Sequence, residues 1–429
     1  IARLLDHGMQ DLFDLELAFR LQIGGSRPAF TNHPAVRVGQ QRERLGASRV
    51  DAKDVHGFSL LVEWEILMVR VRSPRAIGVV CGMALCLIAA TASFRAAAPE
   101  QTRALWVTRT TLSSPDAIRQ MVAAAQAGGF NTLLVQVRGR GDAYYNGTIE
   151  PRANELLTRP AFDPLATVLE QAHAANLKVH AWVAVNLVSS SVTLPASRDH
   201  VIYRAPEWLM VPRELAAAMK KVDLRSPAYL GQLARWTRAH ASTIEGLYTS
   251  PLHPAAQDHT AAVIAEIASK YAIDGVHLDY VRFPNDDFDF SPSALDQFKK
   301  AILPNLTERE RKDAVAREAV DPAAYPNLFP ARWNDFRRER LTELVIKIRS
   351  AVKRARPGVV VSAAVVPDAQ TAFDSRMQDW RGWAEQSLID VLCPMAYTTD
   401  ADTFRKQIAT AREYAGPDRS RSGVLARRR

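Results

Sequence analysis

Downstream of residue 103 the chain repeats one pattern: a short apolar run, a polar turn, then a segment of helical period. The apolar runs at 105–109 (LWVTR), 132–138 (TLLVQVR), 178–187 (KVHAWVAVNL), 275–281 (GVHLDYV), 358–366 (GVVVSAAVV) and 389–397 (IDVLCPMAY) predict six strands. Most are apolar at nearly every position, as expected of parallel strands covered on both faces. The segments around them predict helices at 115–128, 163–176, 254–271, 333–355, 378–386 and 402–414. Their ends carry recognisable signals. Ser114 followed by Pro115 opens the first helix, Gly128-Gly129 closes it, and Asp163-Pro164 opens the second. Residues 188–235 and 284–331 break the rhythm and read as insertions.

Six such units fit either a doubly wound α/β sheet or a TIM-type (β/α)8 barrel. Polar residues recur at the C-terminal ends of the strands, at Arg109, Arg138, Asn186, Asp279, Asp368 and Tyr397, which is where barrel active sites are built. The first strand leads into TRTTLSS rather than a glycine-rich phosphate loop, which argues against a dinucleotide-binding fold. The expected fold is therefore the barrel. No strand pattern follows Tyr414, so the barrel is expected to be incomplete at its C-terminal end, lacking the last one or two strands.

The N-terminal region follows a different pattern. Residues 76–92 (AIGVVCGMALCLIAATA) form an uncharged apolar run behind Met68, Arg70, Arg72 and Arg75, and end on Ala90-Thr91-Ala92. That is the layout of a secretory signal peptide with a small-residue cleavage site. The expected organisation is a signal peptide at 68–92 starting at Met68, non-native upstream translation at 1–67, and one barrel domain at 93–429. Export to the periplasm or exterior of a bacterium follows from it, with membrane contact only through an uncleaved signal segment.

The formal charge of +9 at first suggests nucleic acid as a partner. The excess sits at the ends, however: residues 1–92 carry +2 and 417–429 carry +4, leaving +3 for 93–416. No basic stripe calls for nucleic acid. Two of the three cysteines, Cys81 and Cys86, lie in the signal segment, so Cys393 has no intrachain disulfide partner. Nothing in the sequence specifies an oligomeric state.

The densest candidate chemistry is in residues 274–284 (DGVHLDYVRFP). Strand alternation puts His277 and Asp279 on one face, with Asp279 at the barrel mouth and Arg282 close behind. A carboxylate there suits glycoside hydrolysis as nucleophile or acid/base. A second group follows residue 136: Gln136 and Arg138 share a strand face, and the glycine-containing turn beyond them carries Asp142 and Tyr144, suited to binding hydroxyls and stacking on sugar rings. Arg109, Asn186 and Tyr397 complete the substrate-binding candidates at strand ends. No metal or cofactor is expected: His173, His180 and His277 lack ligand spacing, and the Asp286, Asp287, Asp289 group reads as a solvated loop.

Taken in order, RALWVT from Arg103, GFNTLLVQVR from Gly129, GDAYY from Gly141 with Glu150-Pro151, VHAWV from Val179, APEWL from Ala205, DGVHLD from Asp274, and Asp379-Trp380 with PMAY from Pro394 resemble the glycosyl-hydrolase-10-like family of exported bacterial proteins. The resemblance spans about residues 102–416. It implies a (β/α)8 barrel acting on envelope or exopolysaccharide glycans. Asp279 stands where amylase-like barrels carry their nucleophile. The acid Glu that chitinase-like barrels place two residues later is Val281 here, and strand 358–366 carries Ser362 but no Glu. The second catalytic carboxylate is therefore expected at Asp368 or Asp400, with Asp142 behind them. The expected function is hydrolysis of O-glycosyl bonds in a polysaccharide such as peptidoglycan glycan strands. The alternative is a glycan-binding protein without catalysis on the same barrel.

Overall fold

The computed structural model describes residues 101–415. The upstream segment 1–67, the signal segment 68–92 and the tail 417–429 lie outside the described residues.

All six apolar runs form strands: β1 Ala104–Val107, β2 Thr132–Arg138, β3 Lys178–Ala184, β4 Gly275–Asp279, β5 Val360–Val365 and β6 Val391–Pro394. They pair in parallel, in chain order from β1 to β6. A doubly wound sheet needs a point where the strand order reverses, and this one has none. The order is that of successive units around a barrel. Among the described residues the sheet ends at β1 and β6, giving an α/β half-barrel.

The main helices are α1 Pro115–Ala127, α2 Pro164–Ala174, α3 Pro227–Ala239, α4 Pro254–Lys270, α5 Pro292–Ile302, α6 Glu308–Glu318, α7 Pro330–Ala355, α8 Ala369–Ser375, α9 Trp380–Glu385 and α10 Ala401–Ala415. The start signals work as expected. Ser114 accepts the Ala117 N–H at 3.2 Å and Asp163 accepts that of Ala166 at 3.1 Å, each followed by proline in the first turn. The helix expected at 378–386 forms as α9, and α8 before it was not anticipated. Asp368 caps α8, Asp379 caps α9, and Met377 between them takes a left-handed φ of 54° that separates the two.

The two insertions carry structure of their own. The first holds α3 and a separate apolar cluster of Val201, Ile202, Leu209, Val211, Met219, Tyr229 and Leu233. The second holds α5 and α6. Asp289 joins them: fully buried, it accepts the N–H groups of Val211 and Ser291, both at 2.8 Å, and the Ser291 hydroxyl at 3.1 Å. Only Asp286 and Asp287 of that acidic group face solvent, so the expected solvated loop is half structural.

Inside the sheet, His277 Nδ1 lies 3.0 Å from the Ser362 hydroxyl. Burial pulls its imidazole down to about 3, and burial pulls that of His180 to about 4, so both are neutral near pH 7. A cavity of about 180 Å³, lined by Ala104, Leu134, His180, Ser362 and Cys393 among others, opens toward the N-terminal ends of the strands. Burial pushes the Cys393 thiol up to about 12. Among the described residues no helix is long and apolar enough to cross a membrane, and no cluster of His, Cys, Asp and Glu could hold a metal ion.

Candidate active site

Four residues of the 274–279 segment have distinct places. Asp274 accepts the Val179 N–H at 2.8 Å and contacts His173 Nε2 at 2.9 Å, fastening β4 to β3 and α2. At Gly275 a Cβ would lie 2.5 Å from the His180 ring, so only glycine lets β4 lie this close to β3. His277 points into the interior. Asp279 ends the strand, and Tyr280 turns the chain sharply with a φ of 51°.

That turn brings the Tyr280 N–H back onto Asp279 Oδ1 at 2.7 Å. Trp182 Nε1 donates to Asp279 Oδ2 at 3.1 Å, and Arg282 Nη1 lies 3.5 Å from Oδ1. Asp279 is only 6% exposed. Burial disfavours its ionised form, and the Arg282 charge with the three donors only partly compensates, so its carboxyl lies above the ordinary range. Gln378 holds the loop beyond it. This fully buried amide donates to the carbonyls of Val281 and Ala364, both at 3.2 Å, and accepts the Val366 N–H at 2.9 Å. Asn186, expected to bind substrate, is also buried and donates to the Arg282 carbonyl at 3.3 Å.

Arg282 faces a second carboxylate. Its Nη2 lies 3.8 Å from Glu245 Oε1, and the Tyr248 hydroxyl donates to Glu245 Oε2 at 2.7 Å. One rigid guanidinium touching both acids keeps their nearest oxygens within about 10 Å. Glu245 sits in the loop between α3 and α4, where no strand or motif signals it. Around the mouth, Trp106 of β1 stacks on Trp182 at 5.4 Å and meets Tyr397 edge-on at 6.2 Å. Tyr397 is 52% exposed at this rim. Gln136 Oε1 accepts the Arg109 N–H at 3.4 Å, Arg109 pairs loosely with Asp142 at 3.7 Å, and Asp142 also accepts the Arg140 N–H at 2.9 Å. Burial and the neighbouring Arg109 charge lower the Arg140 guanidinium.

Four expected site residues have other partners. Arg138 is 1% exposed and turned inward: its Nε and Nη2 bond the Glu150 carboxylate at 2.8 and 2.6 Å, and its Nη1 reaches the Ala184 and Val185 carbonyls. Its burial leaves it with a structural role in this arrangement. Asp368 and Asp400 are exposed and accept the N–H groups of Thr371 and Thr403 at 2.8 and 2.7 Å; both cap helices and neither contacts Asp279. Tyr144 is nearly buried, with its hydroxyl donating to Glu155 at 3.0 Å and Arg109 above its ring. Trp106, Trp182, Arg140 and Glu245 are the site residues missing from the sequence reading.

Residues 101–416 match the glycosyl hydrolase-like 10 family. The chain belongs to that family. Glycosyl hydrolase YngK of Bacillus subtilis (strain 168) is 25% identical over 291 residues, covering 63% of this chain and 46% of that protein. Glycosyl hydrolase DigH of Escherichia coli (strain K12) is 27% identical over 288 residues, covering 63% and 55%. The chain thus spans about half the length of the curated relatives it matches. In three dimensions it is similar to the glycoside hydrolase domain of PgaB (BpsB) from Bordetella bronchiseptica, with a TM-score of 0.50, 15% identity, and coverage of 75% of this chain and 83% of that one. That likeness concerns the fold: the half-barrel resembles a glycoside hydrolase barrel.

Proposed function

We propose that this chain is an exported glycoside hydrolase of TIM-type (β/α)8 barrel descent that cleaves O-glycosyl bonds in a bacterial envelope glycan, with Asp279 as its catalytic carboxylate. The observation that carries the reading is the placement of Asp279: at the C-terminal end of β4, with donors on both oxygens and an aromatic and arginine-lined mouth in front of it. Cleavage passes through an oxocarbenium-like transition state. In a retaining reaction an Asp279 oxygen bonds the anomeric carbon as the glycosidic bond breaks, and a second carboxyl group protonates the leaving oxygen. In an inverting reaction one carboxylate takes a proton from the attacking water while the other protonates the leaving oxygen.

Glu245 is the second carboxylate in this reading, replacing Asp368 and Asp400. Its reach from Asp279 through Arg282 accommodates both the roughly 5–5.5 Å retaining spacing and the 6.5–9.5 Å inverting one. Binding without cleavage is the second reading, favoured by the absence of any carboxylate at the end of β5 other than the helix cap Asp368.

The test is the release of new reducing ends from peptide-stripped peptidoglycan strands and from purified exopolysaccharides. Release from at least one is expected. Saturable binding to such a glycan with no new reducing ends would leave the binding reading in its place.

A further inference from the structure

Helix α4 runs back along the sheet before β4 begins, so its first turns lie at the same end as the strand C-termini and the Asp279 mouth. Beside those turns is a cavity of about 470 Å³ lined by Glu150, Asp199, Arg204, Glu207, Trp208 and His259 among others. Its size falls within the roughly 300–1,000 Å³ of small-molecule sites. Two of the segments that carry the family resemblance wall it, Glu150-Pro151 and Ala205-Pro206-Glu207-Trp208-Leu209, and the mechanism above uses neither.

The lining is polar with one large aromatic. At the floor His259 Nε2 lies 3.4 Å from the buried Glu150 carboxylate, which Arg138 neutralises from behind. Trp208, half-buried, sets its ring against His253 and His259 at 5.9 and 5.5 Å. Among the described residues the side chains of Asp199, Arg204 and Glu207 make no hydrogen bond or ion pair, and the buried Nδ1 of His253 has no partner. The wall is tied to the catalytic mouth, because His200 beside Asp199 contacts the Arg140 carbonyl through Nε2 at 2.8 Å.

We infer that this cavity is a distal saccharide subsite, holding a sugar unit of the same glycan chain some distance from the bond cleaved at Asp279. An indole offers the apolar C–H face of a pyranose a flat partner, while carboxylates and a guanidinium bond its hydroxyls. With Glu150 neutralised, Asp199 and Glu207 outweigh Arg204, so the subsite suits a neutral or amino sugar and disfavours a uronate. The inference rests on the glycosidase reading. Its consequence is that affinity grows with chain length once an oligomer reaches both places.

The probe is a ladder of β-1,4-linked N-acetylglucosamine oligomers, titrated onto the full chain carrying Asp279→Asn so that nothing is cleaved. Long oligomers should bind at least about tenfold more tightly than short ones. Trp208→Ala should abolish most of that advantage, and Trp208→Tyr should retain part of it. Should Trp208→Ala fail to fold, Arg204→Ala and Glu207→Gln give the same readout and should each weaken the long oligomers several-fold. An unchanged long-to-short ratio in all the variants that fold overturns the subsite. An oligogalacturonate binding as tightly as the neutral oligomer overturns the sugar class. Failure of the glycosidase reading looks different: the wild-type chain then releases no reducing ends from any glycan.

Discussion

Asp279 is held between opposing influences. Burial resists its ionisation, while Arg282, the Trp182 N–H and the Tyr280 N–H favour it, and burial prevails. If Asp279 must be ionised to act, the acid limb of kcat/KM lies above the ordinary aspartate range. Arg282→Ala removes the largest stabiliser of the carboxylate and should move that limb to still higher pH. A pH–rate profile checks this, and an unmoved limb would separate Arg282 from catalysis. The strand-end place of Asp279 was legible because a lone carboxylate ended a strand that is apolar but for His277. Arg138 misled for the same reason, since a strand-end arginine looks alike whether it faces a mouth or satisfies buried carbonyls. Glu245 was not legible, because its place beside Arg282 is set by the Tyr248 hydroxyl and the path of the first insertion, neither of which follows from local pattern.

At the level of elements, pairing between strands depends on a few buried polar contacts. Glu150 and Arg138 tie the loop after β2 to the end of β3. Burial alone would raise the Glu150 carboxyl, but the Arg138 charge and the His259 and Arg138 hydrogen bonds outweigh it and hold it at about 2, below the ordinary 4.5. A carboxylate depressed in this way stabilises the fold above its unfolded value, and the contribution fades as pH falls from about 4.5 toward about 2. Glu150→Gln leaves Arg138 buried without its counter-charge, and should cost about 3–5 kcal/mol near neutral pH while flattening stability across that acid window. Denaturant titrations over pH measure both; an unchanged slope would mean that the pair is not coupled to folding. Helix starts were legible in the sequence because Ser114, Asp163 and the prolines after them act locally. Strand ends were not, because Val185, Leu187, Met395 and Ala396 continue the apolar pattern after the chain has left the ladder.

For the whole molecule, six consecutive parallel strands in chain order place every strand C-terminus at one end, and the mouth, Glu245 and the Trp208 cavity all lie there. The alternation alone fitted a doubly wound sheet as well; the sequential order was legible from the polar residues at the strand ends and the missing phosphate loop. How the insertions join was not legible, because it depends on Asp289 receiving donors from segments far apart in the chain. The central claim is that this arrangement cleaves a glycan through Asp279. The most direct measurement compares reducing-end release by the wild-type chain and by Asp279→Asn, on the same peptide-stripped glycan strands and with folding checked by circular dichroism. A loss of at least about a hundredfold in kcat is expected for a carboxylate acting on the scissile bond. Turnover in the folded variant within a few-fold of wild type would contradict it.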